Sequence, residues 1–204
     1  AILSSIVSGR QVDFEDIYTE GITKITAQDM RYAKEMNMVI KLLATMKQED
    51  GTIGAIVAPF LLHSEHPLAS VHGVFNAIFV RGNALGDSMF YGSGAGKMPT
   101  ASAVTADIVE AARYQDRTIC EYWSGNKMEL KSRMDVKRKF FIRMAGRKEA
   151  YADRIREAFG EVQYLTADGC EGEFAFVTGE IKEGEYESAA AEFGNLIHMI
   201  RVAS

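Results

Sequence analysis

Cysteine is scarce in this sequence: Cys120 and Cys170 are the two among 204 residues, and they lie far apart. We therefore expect two reduced thiols in a cytoplasmic protein rather than a disulfide scaffold. No run of about 18 apolar residues is present, so no membrane-spanning helix is predicted. The apolar first residues lack the basic leader and cleavage site of a signal peptide. The net charge of −5 argues against nucleic acid or a membrane surface as a partner.

The sequence also lacks a clear metal or nucleophile cluster. His63 and His66 flank Glu65, but their spacing is three, no third ligand is obvious, and Pro67 indicates a loop. We predict no metal site there. The residues around Ser102 do not form the GxSxG turn of a serine hydrolase.

The most informative segment runs from residue 71 to residue 113. Two apolar strands are predicted, from Val74 to Val80 and from Ser88 to Tyr91, and then three glycines precede a helix of small residues that is expected to open at Thr100. Glycine lets the backbone approach a ligand closely, because no Cβ stands in the way. The free N–H groups and positive dipole end of the helix make a plausible anion cradle.

The alternative is that this glycine-rich turn binds nothing, as most turns between a strand and a helix do. The letters GSGAG do not match the GxGxxG fingerprint, and no acidic residue lies about 20 positions later in a second parallel strand. A Walker loop is excluded because Lys97 is followed by Met98 and not by serine or threonine. From the residues alone, both interpretations stay open.

A longer pattern resembles the catalytic domain of homoserine dehydrogenases. Its parts are HPLA at 66–69, NAI at 76–78, MFYG at 89–92, GAG at 94–96, PTASAV at 99–104 and DI at 107–108. Upstream, VDF at 12–14 and EGITKI at 20–25 also resemble the family. The likeness covers about residues 1–114.

This resemblance implies a reaction and its participants. The whole enzyme interconverts L-homoserine and L-aspartate 4-semialdehyde, on the route to threonine, methionine and isoleucine, with NAD(P) as cofactor. The cofactor is expected to contact Gly94, Ala95, Gly96 and Thr100. No catalytic residue is expected in this chain, because the family's catalytic lysine precedes the position of Ala1. The chain alone is therefore not expected to transfer hydride.

The predicted fold is α+β, with a truncated catalytic domain at 1–114, a linker at 115–135 and a small domain at 136–204. Residues 1–9 are predicted to end a helix at Gly9, and Thr26 to begin another. Asp50-Gly51 predicts a hairpin turn. By resemblance, this hairpin and the two strands of residues 71–91 form one mixed sheet that carries the interface of a homo-oligomer, a dimer or a tetramer.

The tail at 136–204 reads as strand, helix, strand, strand, helix, strand, which is the ferredoxin-like order. Its strands are expected at 139–144, 162–166, 174–177 and 196–202, with the helices at 148–159 and 183–193 on one face of the sheet. This order resembles an ACT domain, whose role in the family is feedback control, usually by threonine. Gly146 is the candidate effector contact, although the usual Asp and Pro of that loop are absent. The alternatives are sheet pairing across a dimer, or a non-catalytic module for oligomerisation and threonine sensing.

Overall fold

The computed structural model describes residues 1–116 and 123–203. The chain divides into two compact units. The first comprises residues 1–63 together with 122–204, and the second comprises residues 64–121. The chain thus leaves the first unit, forms the second, and returns.

The structure combines helices and strands, as the α+β prediction requires. The α-helices of the described residues are α1 (Ile2–Ser8), α2 (Ala27–Glu35), α3 (Lys97–Arg113), α4 (Ala152–Phe159) and α5 (Glu183–Ala190). The strands are β1 (Arg10–Gln11), β2 (Tyr18–Thr19), β3 (Met38–Glu49), β4 (Thr52–His63), β5 (Phe75–Gly82), β6 (Gly86–Ser93), β7 (Ser124–Lys127), β8 (Lys137–Ala145), β9 (Val162–Leu165), β10 (Glu173–Thr178), β11 (Ile181–Lys182) and β12 (Leu196–Val202). Within these described ranges, no helix is long and apolar enough to cross a membrane.

The local sequence explains where α1 ends and where α2 begins. Helix α1 stops at Gly9, whose φ of 66° is a left-handed conformation that glycine adopts without a Cβ penalty. Helix α2 begins with a capping box: the Asp29 amide donates to the Thr26 hydroxyl, and the Asp29 carboxylate accepts from the Thr26 amide at 2.7 Å. Both predicted helix boundaries are confirmed.

The predicted hairpin is also confirmed. Asp50 and Gly51 have φ values of 49° and 76°, as the central residues of a type I′ turn require. On either side of this turn, every residue of β3 pairs with one of β4.

One large mixed sheet organises the first unit. Its strand order is β2-β4-β12-β8-β10-β9, and β3 also pairs with β4. The tail contributes β12-β8-β10-β9 with α4 and α5 between its strands, so its elements follow the predicted order. At the junction, β12 runs parallel to β4, with Arg201 opposite Phe60 and Val202 opposite Leu61. Hydrogen bonds therefore join the tail directly to the β3–β4 hairpin.

Strand β8 is covered on both faces. Its residues Phe140, Ile142 and Met144 pack into a core that includes residues of α4 and α5. On the other face, Phe141 contacts Tyr32 of α2, with ring centroids 5.7 Å apart. The prediction placed helices of the tail on one sheet face, and α2 covers the other. The tail shares its core with residues 1–63, so this grouping differs from the predicted division into 1–114 and 136–204.

Residues 123–130, which fall in the predicted linker, are part of the first unit and pack against its other residues. Strand β7 pairs in parallel with β1, and the Trp123 indole donates to Gln11 Oε1 at 2.7 Å. Met128 is buried in one cluster with Val12 and Ile53. The predicted packing segment at 118–123 lies outside the described residues except for Trp123.

The second unit contains one hairpin and one long helix. Strands β5 and β6 pair antiparallel and form a two-stranded sheet of their own. The prediction of one mixed sheet that also includes the β3–β4 hairpin is therefore wrong. In the described residues β4 is paired along both edges, with β3 on one and with β2 and β12 on the other, whereas β5 and β6 pair with each other only. No side chain of α3 is buried.

A buried arginine ties three separate segments of the first unit together. The Arg201 guanidinium on β12 donates from Nε to both carboxylate oxygens of Glu183, at the start of α5, and from Nη2 to Oε1 at 2.5 Å. It also donates to Glu20 at 2.8 Å. Arg201 is 2% exposed and Glu183 is fully buried. Burial alone would raise the pKa of Glu183, but bonds from Arg201 and Arg133 hold it below its ordinary value.

We expect Arg201→Met to lower the free energy of unfolding by about 3–5 kcal/mol, because it removes one partner of a buried ion pair. Urea unfolding of the chain measures this change. The control is Arg156→Met, since Arg156 and Glu161 form an exposed pair at 3.3 Å, and we expect a loss below about 1 kcal/mol there. Equal losses in the two variants would contradict the assignment of stability to the buried pair.

Candidate functional site

The loop predicted to touch a cofactor joins β6 to α3. Strand β6 ends at Ser93 and α3 begins at Lys97, so the loop consists of Gly94, Ala95 and Gly96. All three residues are exposed. The helix therefore opens three residues earlier than the predicted Thr100, and that boundary was wrong. Pro99 lies within the first helical turn, where its missing N–H removes no intrahelical hydrogen bond.

Gly96 is the residue before the helix, and its backbone needs glycine. Its φ is 117°, a conformation that other residues rarely adopt. Its carbonyl accepts the Thr100 amide at 3.1 Å, which is the first bond of the helix. The Thr100 amide is therefore occupied, and the amides of Lys97 and Met98 precede it at the positive end of α3.

Gly94 is glycine for a different reason. A Cβ at this position would overlap the Asn76 side chain, which comes across from β5. Asn76 lies opposite Gly92 in the strand ladder, and Ile78 lies opposite Phe90 on the same face. These residues and Gly94 line a shallow depression of about 280 Å³. Main chain without side chains is thus exposed beside an apolar surface.

The chemistry of this loop suits an anion. The first turn of α3 carries Lys97 and no acidic side chain. Backbone amides, a helix dipole and one ammonium group act in the same direction on a phosphate. These groups are able to bind and orient a phosphate or another anion.

His66, considered above as a metal ligand, has a structural contact. Its Nδ1 accepts the Leu68 amide at 3.1 Å and so caps the turn that begins at Pro67. Its ring lies 4.7 Å from the ring of Phe79. Across the ranges 1–116 and 123–203, no group of three His, Cys, Asp or Glu residues could hold a metal ion.

The second predicted contact, Gly146, lies just after β8. Its φ is 111°, and a Cβ there would come 3.1 Å from the Tyr151 ring. Its amide donates to the Gly172 carbonyl at 2.8 Å. Backbone conformation and packing therefore account for glycine at this position, and its amide is already bonded within the chain.

Three residues before Gly146, Arg143 lies in a charged network that was not predicted from the sequence. Arg143 donates to Asp29 and to Thr26, at 2.7 and 2.8 Å, and it forms two bonds with Glu173. His198 Nδ1 lies 3.1 Å from Asp29 Oδ2. Burial disfavours the Asp29 charge, but contacts from His198, Arg143 and Thr26 hold its pKa well below 3.8. The Thr26–Asp29 capping pattern was the one available signal.

Comparisons of the sequence and of the structure with known proteins all indicate the same family. The sequence model of the homoserine dehydrogenase family matches residues 1–109. Homoserine dehydrogenase of Bacillus subtilis is 42% identical over 109 residues, which are 53% of this chain and 25% of that protein. The Synechocystis enzyme is 33% identical over 219 aligned positions, covering 96% of this chain and 50% of that protein.

Solved structures agree over the whole chain. A homoserine dehydrogenase from Thiobacillus denitrificans superposes with a TM-score of 0.84 at 29% identity. One from S. aureus gives 0.77 at 26%. In both cases all of this chain is covered, together with 51% of the solved chain. Where nearly all of the chain is aligned, it spans about half the length of these proteins.

The low pKa of Asp29 makes stability depend on pH. In the unfolded chain the Asp29 carboxyl has its ordinary pKa, whereas in the folded chain its pKa is lower. The unfolded chain therefore takes up a proton first as the pH falls, so the free energy of unfolding should decrease below about pH 5. We expect Asp29→Asn to lower stability by about 3 kcal/mol at pH 7 and to flatten this dependence. Urea unfolding between pH 7 and pH 3 measures both.

Asp87→Asn is the matched control for this experiment, because Asp87 pairs with Arg81 at an exposed site. It should leave both the stability and its pH dependence close to those of the original chain. An unchanged slope in Asp29→Asn would contradict the assignment.

Proposed function

Because this chain belongs to the homoserine dehydrogenase family, we propose that it is the C-terminal portion of an enzyme that interconverts L-homoserine and L-aspartate 4-semialdehyde. The reaction is an oxidoreduction, and a nicotinamide dinucleotide carries the hydride when it is bound. What this chain contributes is position and electrostatics.

The loop at 94–96 is the observation that carries the proposal. Its bare main chain is exposed, and it lies at the N-terminal end of a helix of 17 residues. We propose that Gly94, Ala95 and Gly96 contact the cofactor phosphates, aided by the amides of Lys97 and Met98. Thr100 would add its hydroxyl, because its amide is already bonded to Gly96. NAD and NADP are equally compatible with these groups.

The proton-transfer residue is proposed to lie outside this chain, so that the chain alone is inactive. We further propose a cytoplasmic homo-oligomer that acts on a small-molecule substrate. The exposed apolar side chains of the β5–β6 hairpin support an assembly, since Ile78 is 49% and Phe90 67% exposed in the single chain.

A second function, amino-acid sensing, is favoured by the tail. Its βαββαβ order and its strand order β12-β8-β10-β9 suit an ACT-like regulatory region with threonine as effector. The Gly146 amide is bonded to Gly172, so an effector at this turn would have to meet the main chain of Arg147 and Lys148 instead. In the alternative proposal, the chain acts only as a module for oligomerisation and sensing.

For the dehydrogenase, we expect Gly96→Val in the full-length protein to raise the cofactor KM or to lower kcat by at least about tenfold. A side chain would block the close approach, and misplacement of a bound group is costly for rate. Steady-state kinetics measures this change. Gly21→Val is the control, because Gly21 has an ordinary backbone and open space around it. Kinetics like those of the original enzyme in Gly96→Val would contradict the proposed contact.

For the sensing role, we expect calorimetry of this chain to give binding heat with threonine and none with NADP(H). The heat should disappear in Gly146→Val, which fills the turn next to Tyr151. Gly160→Val is the control, since Gly160 has a similar left-handed backbone with φ of 73° and no neighbour within 4 Å. Absence of threonine heat in the original chain would remove the effector site from this proposal.

A further inference from the structure

The Asn76 side chain occupies the space in which a side chain of Gly94 would stand. A Cβ built on Gly94 overlaps Asn76 Nδ2 and comes within 2.8 Å of Asn76 Cγ and 3.2 Å of Asn76 Cβ. Neither other glycine of this region is crowded in this way. Gly92 has nothing within 4 Å, and Gly96 has Pro99 at an ordinary 3.5 Å.

This contact bears on the loop because the loop is short. Three residues join the end of β6 to the start of α3. Gly94 can lie beside Asn76 of β5 because it carries no Cβ. Gly96 is held to the helix by its bond from Thr100, so moving Gly94 outward would change the course of the main chain between Gly94 and Gly96.

We propose that Asn76 is the positioning residue of the cofactor loop. It acts through Gly94: its side chain sets how closely the loop approaches β5, and so where the bare main chain at 94–96 is presented. This inference rests on the proposed cofactor contact of the loop. Asn76 itself need not touch the cofactor.

A pair of substitutions that adds side-chain volume at position 94 and removes it at position 76 tests the proposal. A methyl group at Gly94 and the exposed Asn76 side chain compete for the same space, so either the loop or Asn76 must shift. If the loop shifts, as we propose, Gly94→Ala in the full-length protein raises the cofactor KM by about tenfold or more, with a smaller change in kcat. An unchanged cofactor KM would mean that Asn76 turns aside and does not position the loop. Asn76→Ala removes the overlapping amide and leaves a Cβ contact of 3.2 Å that a small shift relieves. The double variant should therefore regain most of the lost cofactor affinity, since contacting residues are not additive.

Asn83→Ala is the matched control, because Asn83 lies at the opposite end of the same hairpin, between β5 and β6. It should not rescue Gly94→Ala. For every variant, a fluorescence titration measures cofactor affinity and thermal unfolding measures stability. An effect on cofactor binding is thereby distinguished from an effect on stability.

Rescue of both cofactor KM and thermal stability by Asn76→Ala would support the proposal. A raised KM in Gly94→Ala that Asn76→Ala does not relieve would overturn the role of Asn76, while the cofactor contact of the loop would stand. Rescue of thermal stability with no effect of Gly94→Ala on cofactor binding would overturn the cofactor contact itself, and the inference with it.

Discussion

The first unit depends on strand β8 being covered on both faces. A strand with one wet face alternates between apolar and polar residues, whereas 140–144 reads FFIRM with all five side chains buried. Helices of the tail supply one cover, and α2 from the beginning of the chain supplies the other. Segments more than a hundred residues apart must therefore assemble before this strand is shielded from solvent. The tail and residues 1–63 form one core for that reason.

Two arginines on neighbouring strands complete this arrangement. Arg143 and Arg201 are 3% and 2% exposed, and each bonds to carboxylates from different segments. A buried guanidinium is tolerated only when its donors are satisfied, so Asp29 and Glu183 fix where α2 and α5 sit. Gly146 lies three residues after Arg143 and is bonded to Gly172, close to Glu173 in sequence. The proposed regulatory turn is thus close to the Arg143 network.

The second unit is organised differently, because its groups face outward. The two glycines of its loop are required for different reasons, and the spacing of the glycines in the sequence does not distinguish these reasons. Gly94 leaves room for Asn76, and Gly96 adopts a backbone conformation that other residues avoid. No side chain of α3 is buried, so the main chain at 94–96 and the apolar side chains of the hairpin stay exposed. This exposure is compatible with the cofactor contact proposed for the loop.

Sequence by itself determined the local elements: the helix stop at Gly9, the cap at Thr26, the turn at Asp50-Gly51, the order of the tail and the family. These follow from neighbouring residues, since backbone freedom, capping and hairpin turns are short-range effects. Tertiary structure alone decided that β12 pairs with β4, that α2 covers β8, and that Asn76 meets Gly94. Such contacts join residues distant in the chain, and many pairings satisfy the same apolar pattern, so only the packing of the whole unit selects among them.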